Sequence, residues 1–79
     1  MGRISIDVVI RLFSLLLEGP RKKTELWRLS RTNYNSFVKH LDVLIGRGLV
    51  AERDGYYVLT ERGVREAKEI LEWLKRTFQ

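Results

Sequence analysis

Between positions 21 and 57 the chain reads as a short helix, a tight turn, an amphipathic helix, a glycine stop and a β-hairpin. That order predicts an α+β fold, mainly helical, of the winged helix-turn-helix class with a short two-stranded wing. A second observation extends it: the last helical stretch repeats apolar residues at heptad spacing, which predicts a C-terminal dimerisation helix. The third is charge. Arg21, Lys22, Lys23, Arg28, Arg31, Lys39 and Arg47 face only Glu25 and Asp42 between positions 20 and 47, an excess equal to the net +5 of the whole chain.

The first helix is expected over residues 5–18, with Ser5 as N-cap, Asp7 in the first turn and Gly19-Pro20 as the stop. Its polar residues Asp7, Arg11, Ser14 and Glu18 form one narrow stripe, and the remaining circumference is Ile, Val, Leu or Phe. Such a helix must be buried on most sides. A chain of 79 residues has few elements to surround it, so Val8, Leu12 and Leu15 are expected to meet a second subunit.

A second helix over 24–29 starts at a Thr24 cap, turns Leu26 and Leu29 inward and partly covers Trp27; residues 30–32 make the turn. Asn33 is a good N-cap for the third helix, 34–47, in which Tyr34, Phe37, Leu41 and Leu44 define a buried stripe flanked by Val38 and Ile45. Gly48 then ends it. The wing, 49–59, consists of two short apolar and aromatic strands joined by Asp54-Gly55, the dipeptide that suits a two-residue type I′ turn.

Thr60 caps the last helix, 61–78, where Val64, Ala67, Leu71, Leu74 and Phe78 occupy a and d positions and Ile70 and Trp73 widen the seam. These residues complete the expected homodimer interface. With no linker, repeat or low-complexity tract, residues 1–79 read as one domain.

The outer face of the third helix is left with Asn35, Ser36, Lys39, His40 and Val43. In a major groove, Asn35 can pair with adenine, Ser36 can donate or accept, Lys39 can reach guanine or phosphate, and Val43 can meet a thymine methyl. Arg21, Lys22 and Lys23 enter the second helix as a phosphate clamp aided by the helix N-terminus; Arg28 and Arg31 continue the track, and Asn33 lies on the same surface. Arg53 at the wing tip would border the minor groove, with Asp54 opposing it. His40, the only histidine, is expected to touch phosphate or solvent.

Other chemistries find no footing in the sequence. Without cysteine, disulfides and thiolate metal sites are excluded and a reducing cytoplasm is the natural setting. The apolar run from 8 to 17 is broken by Arg11 and Ser14 and falls short of the ~20 residues that span a bilayer. One histidine cannot build a metal site or a nucleophile–base pair, and no glycine-rich phosphate loop precedes a helix. The expectation is therefore no catalytic residue, cofactor, metal or membrane partner, but a cytoplasmic, nucleoid-associated protein whose partners are double-stranded DNA and itself. The alternative is a winged-helix protein-interaction module without DNA binding, which exposed Trp73 or Val43 would favour.

The residues Arg21-Lys22-Lys23-Thr24-Glu25-Leu26, Asn33-Tyr34, Phe37, Lys39, Leu41 through Gly48-Leu49-Val50, Tyr57 and Leu59-Thr60-Glu61-Arg62-Gly63 carry a wider likeness. On them the chain resembles the small archaeal winged-helix DNA-binding proteins that dimerise through a long C-terminal helix, some of them regarded as chromatin-associated. The resemblance implies DNA binding, a homodimer with paired terminal helices and no enzyme activity. It leaves both a transcription regulator and a chromatin-associated factor open. Thr32, where the family usually has an apolar residue, and the short last helix depart from its pattern.

Overall fold

The computed structural model describes residues 3–78, so the outer ends of the expected 1–79 domain lie outside it. Seven elements follow one another: α1 (Ile6–Leu17), β1 (Arg21–Lys22), α2 (Lys23–Ser30), α3 (Tyr34–Gly46), β2 (Val50–Arg53), β3 (Tyr56–Leu59) and α4 (Glu61–Phe78). The fold is mainly helical with a small antiparallel sheet in the order β1-β3-β2, as expected of a winged helix except that the sheet has three strands rather than two. The extra strand is Arg21–Lys22, which pairs with Tyr57 and Tyr56.

α1 is the central helix. Val8, Val9, Leu12, Phe13 and Leu16 form the core with Leu26, Phe37, Leu41, Leu44, Leu49, Val50, Tyr57 and Ala67. Helices α2, α3 and α4 and strand β3 all touch α1. The four elements available in one copy thus cover most of the helix expected at a subunit interface. Val8, Leu12 and Ala67 lie inside the monomer core and are corrected from interface to core on that ground; Leu15 and Ile70 pack half-buried against it.

Helix ends follow local chemistry. Asn33 Oδ1 accepts from the Ser36 N–H at 2.8 Å, the expected cap of α3. At its other end Gly48 N–H donates to the Ile45 carbonyl and Leu49 N–H to the Leu44 carbonyl, the paired bonds of a Schellman stop. In the hairpin both Asp54 and Gly55 have positive φ, 52° and 83°, as a type I′ turn requires. Thr60 Oγ1 accepts from the Gly63 N–H at 3.0 Å, capping α4.

Three expected details are different. Ser5 occupies the N-cap position of α1 without a side-chain capping bond. α2 begins one residue earlier than Thr24, behind Lys22, also without a side-chain cap, because β1 delivers the chain directly into the helix. Leu29, Tyr34 and Ile45, expected inward, are exposed. α2 buries only Leu26 and Ser30, and the core contacts of α3 are completed by Phe37, His40, Leu41 and Leu44.

Candidate nucleic-acid interface

The basic cluster divides once the side chains are placed. Arg21 lies on the same sheet face as its buried cross-strand partner Tyr57. Its guanidinium is ion-paired to Glu18 and, at 3.2 Å, to Glu25, while Nε donates to the Leu15 carbonyl at 3.1 Å. Arg21 therefore staples the end of α1 to β1 and the first turn of α2. Its expected place in a phosphate clamp is corrected: its positive charge is matched locally and its donors are committed inward.

Lys22 and Lys23 point outward and are exposed. Each ammonium sits over a tyrosine ring, Lys22 over Tyr56 and Lys23 over Tyr34, both 5.7 Å from the ring centroid. Hydrogen bonding to the Tyr34 phenol also raises the pKa of Lys23 above the ordinary lysine value. Cation–π seating limits the freedom of two long side chains while leaving their charge at the surface. Tyr56 pairs across the ladder with Lys22 on one side and Arg53 on the other, so one row of the outer sheet face reads Lys22, Tyr56, Arg53. Helical spacing alone puts Tyr34 in a core stripe, and Tyr56 is legible only as a strand residue; their role as seats for lysines needs the neighbouring elements to be known.

Along α3, Asn35 is exposed and Ser36, Lys39 and Val43 are half-buried. Asp42 is exposed on the same side of the helix, three residues after Lys39. The charge balance of the sequence includes it without setting it on this face. Its carboxylate makes the C-terminal half of α3 unfavourable beside phosphates and concentrates the useful polar groups in the N-terminal half. Asn33 begins that half with its Oδ1 committed to the cap. Arg28 and Arg31 are exposed at the end of α2 and in the turn, and Arg53 is exposed beside Asp54 at the wing tip.

His40 is the clearest correction. It is 2% exposed. Nε2 accepts from the Ser5 N–H at 2.8 Å, which assigns the ring proton to Nδ1, and Nδ1 donates to the Ser36 carbonyl at 2.7 Å. This neutral tautomer ties the start of α1 to α3 and offers nothing to phosphate or solvent. In His40→Leu the Ser5 N–H is deprived of its acceptor, at a cost of about 1–2 kcal/mol; amide hydrogen exchange should show Ser5 opening roughly 5- to 30-fold faster than in the wild type.

The remaining expected interface residues sit on α4. Val64, Leu71 and Leu74 are half-buried, while Trp73 and Phe78 are 54% and 76% exposed. The Trp73 and Phe78 rings meet edge to face at 6.3 Å. A groove of about 240 Å³ runs between Ile6 and Ile10 on α1 and Glu69, Ile70, Trp73 and Leu74 on α4, and Ile6 in its wall is exposed. No helix among the described residues is long and apolar enough to cross a membrane.

A family model described as winged helix-turn-helix matches residues 2–78. The chain belongs to the winged helix-turn-helix family. An uncharacterized protein of Methanocaldococcus jannaschii is 26% identical to this winged helix over 61 residues, which are 77% of the chain and 63% of the relative. Among solved structures, the crystal structure of CalO1, a methyltransferase in calicheamicin biosynthesis in its SAH-bound form, superposes with a TM-score of 0.59 at 29% identity. That match covers 75% of this chain and 18% of the methyltransferase. The winged helix thus spans just under two thirds of the archaeal relative and less than a fifth of the enzyme.

Proposed function

We propose that the chain is a homodimeric double-stranded DNA-binding protein that acts by occupying duplex, as a transcriptional regulator or chromatin-associated factor of the nucleoid, and not by catalysis. The observation that carries this reading is the surface where Lys22 and Lys23, each seated on a tyrosine, adjoin the N-terminal ends of α2 and α3. Helix N-termini and fixed cations together attract phosphate. In this reading the clamp is Lys22, Lys23, Arg28 and Arg31 on the backbone, Arg53 follows at the wing, and Asn35, Ser36 and Lys39 enter the major groove. Arg21 and His40 play no direct part. The absence of catalysis is supported by the single histidine having both ring nitrogens spent on backbone groups.

Self-association is proposed through the exposed aromatic end of α4 and the groove beside Ile6, an apolar surface that water covers in a lone copy. A twofold dimer that set the two α3 helices ~34 Å apart would engage successive major grooves on one side of the duplex.

The test is fluorescence anisotropy of labelled random and genomic-fragment duplexes at several salt concentrations. Steeply salt-dependent binding is expected. Lys22→Ala and Lys23→Ala should each weaken binding equally on all sequences and reduce the salt slope by about 0.9 for every phosphate no longer neutralised. Asn35→Ala should cost about 1–3 kcal/mol at a preferred site and little elsewhere; uniform weakening would identify sequence-independent binding. A protein that leaves anisotropy unchanged at low salt would overturn the duplex reading and favour a protein partner.

A further inference from the structure

The α2–α3 corner holds a pocket of about 370 Å³ whose lining is Thr24, Trp27, Arg28, Arg31 and Thr32. Its composition is specific. The Trp27 Nε1–H, the one polar atom of the indole, already donates to the Thr32 carbonyl at 2.9 Å, so the ring offers the pocket only aromatic surface. That ring is also held from behind: Tyr34 meets it edge to face at 5.2 Å and leans in turn on the buried Phe37 at 6.2 Å. An exposed aromatic fixed by a hydrogen bond and by a stack leading to the core is a preorganised surface.

The cations around it are unmatched. The salt bridges among the described residues are those of Arg21 to Glu18 and Glu25, which leaves Arg28 and Arg31 without an acidic partner there. Arg31 is further distinguished by its backbone. It terminates α2 in the left-handed region, φ 56° and ψ 39°, where glycine or asparagine is the ordinary choice and a long side chain adds strain. A bulky residue held in such a conformation at a pocket wall points to use of its side chain.

We propose that this pocket binds a planar aromatic carboxylate, with its ring against Trp27 and its carboxylate on the guanidinium groups of Arg28 and Arg31. Guanidinium suits a carboxylate because its planar fork can donate two parallel hydrogen bonds. Thr24 and Thr32 lie at the same wall and can serve polar substituents of the ring. The site goes beyond the duplex-binding reading. If that reading also holds, a bound carboxylate occupies two of its phosphate contacts and lowers duplex affinity.

The test contains no DNA, so either idea can fail alone. The full chain, labelled with ¹⁵N, is titrated with benzoate and 2-naphthoate, and with 2-naphthamide and inorganic phosphate as probes of the ring and the anion separately. The expected result is a saturable shift of the Trp27 indole N–H resonance with the two carboxylates while the Trp73 indole stays still, and at least tenfold weaker responses to the amide and to phosphate. Arg31→Gly suits the left-handed backbone, so it should keep or raise the melting temperature and weaken the carboxylate response at least tenfold; Arg28→Gln should weaken it as well. An equal response to phosphate, an undiminished response in Arg31→Gly, or a Trp27 resonance that does not move would overturn the proposal.

Discussion

Gly63→Ala is expected to destabilise the protein by about 3 kcal/mol, lowering the melting temperature by roughly 10 to 20 °C in a thermal scan followed by circular dichroism. The sign is the informative part, because alanine inside an open helix is favoured over glycine by up to about 1 kcal/mol. At Gly63 a Cβ would stand 1.9 Å from the Leu49 carbonyl oxygen and 2.9 Å from its carbon. Both obstacles are backbone, so no side chain can swing aside. The same carbonyl accepts from the Thr60 N–H at 3.0 Å, and Thr60 Oγ1 both donates to the Gly48 carbonyl and accepts from the Gly63 N–H. Moving α4 outward to admit a methyl would therefore strain the junction that joins the end of α3, the wing and α4. Gly46→Ala is the control: a Cβ there meets nothing within 4 Å, and the variant should match or slightly exceed the wild type. Equal stability of the two variants would contradict this close approach.

Trp73→Glu is expected to convert a dimer into monomers, weakening self-association on the order of 100-fold or more, as replacement of a central interface tryptophan commonly does. The prediction rests on the proposed twofold interface. Trp73, Phe78 and Ile6 are large and exposed at neighbouring parts of one surface, and a carboxylate there would have to be buried without a partner. Sedimentation equilibrium distinguishes the outcomes directly. A wild-type protein that remains monomeric at about 100 μM would remove the dimer from the functional reading. A Trp73→Glu variant that remains dimeric would move the interface to another face. Because Trp73 is half-exposed in the isolated copy, its replacement should leave the monomer's stability nearly unchanged, in contrast to Gly63→Ala.

Much of the fold is legible in the sequence because it depends on residues close in the chain. The Asn33 cap, the Asp54-Gly55 turn, the Thr60 cap and the apolar spacing of α3 and α4 are local devices, and the elements they delimit agree with expectation to within one residue at each end. β1 is not legible. Two basic residues between a proline and a helix have neither apolar alternation nor strand composition, and they form a strand only because β3 lies beside them. What covers α1 is hidden for a related reason. Its nearly all-round apolar surface shows that it needs covering, but whether a second subunit or the rest of the same chain does so depends on packing angles, which spacing does not encode.

The candidate site divides along the same line. Residue types and charge distribution are enough to mark the region around α2, α3 and the wing as basic and suited to polyanions, and the family match over residues 2–78 agrees with that architecture. Which cations remain available is a tertiary outcome. Arg21 and Lys22 are adjacent in sequence and on opposite faces of a strand, one locked to two carboxylates and the other seated on Tyr56. His40 lies on a helix whose exposed face begins with Asn35, yet one step around the circumference turns it into the core against Ser5. The close approach at Gly63 likewise joins segments apart in the chain, whereas the Trp27 pocket is built within residues 24–32.

The class of fold, the helix and turn boundaries set by local hydrogen bonding, and the half of the chain that carries the excess charge all follow from residues close together in the sequence. Which charges are neutralised, which aromatic rings are exposed and which apolar residues one copy can bury emerge when the elements pack together. The difference is one of range: caps, turns and periodicity act over a few residues, whereas burial and charge pairing depend on which distant segments the fold brings together.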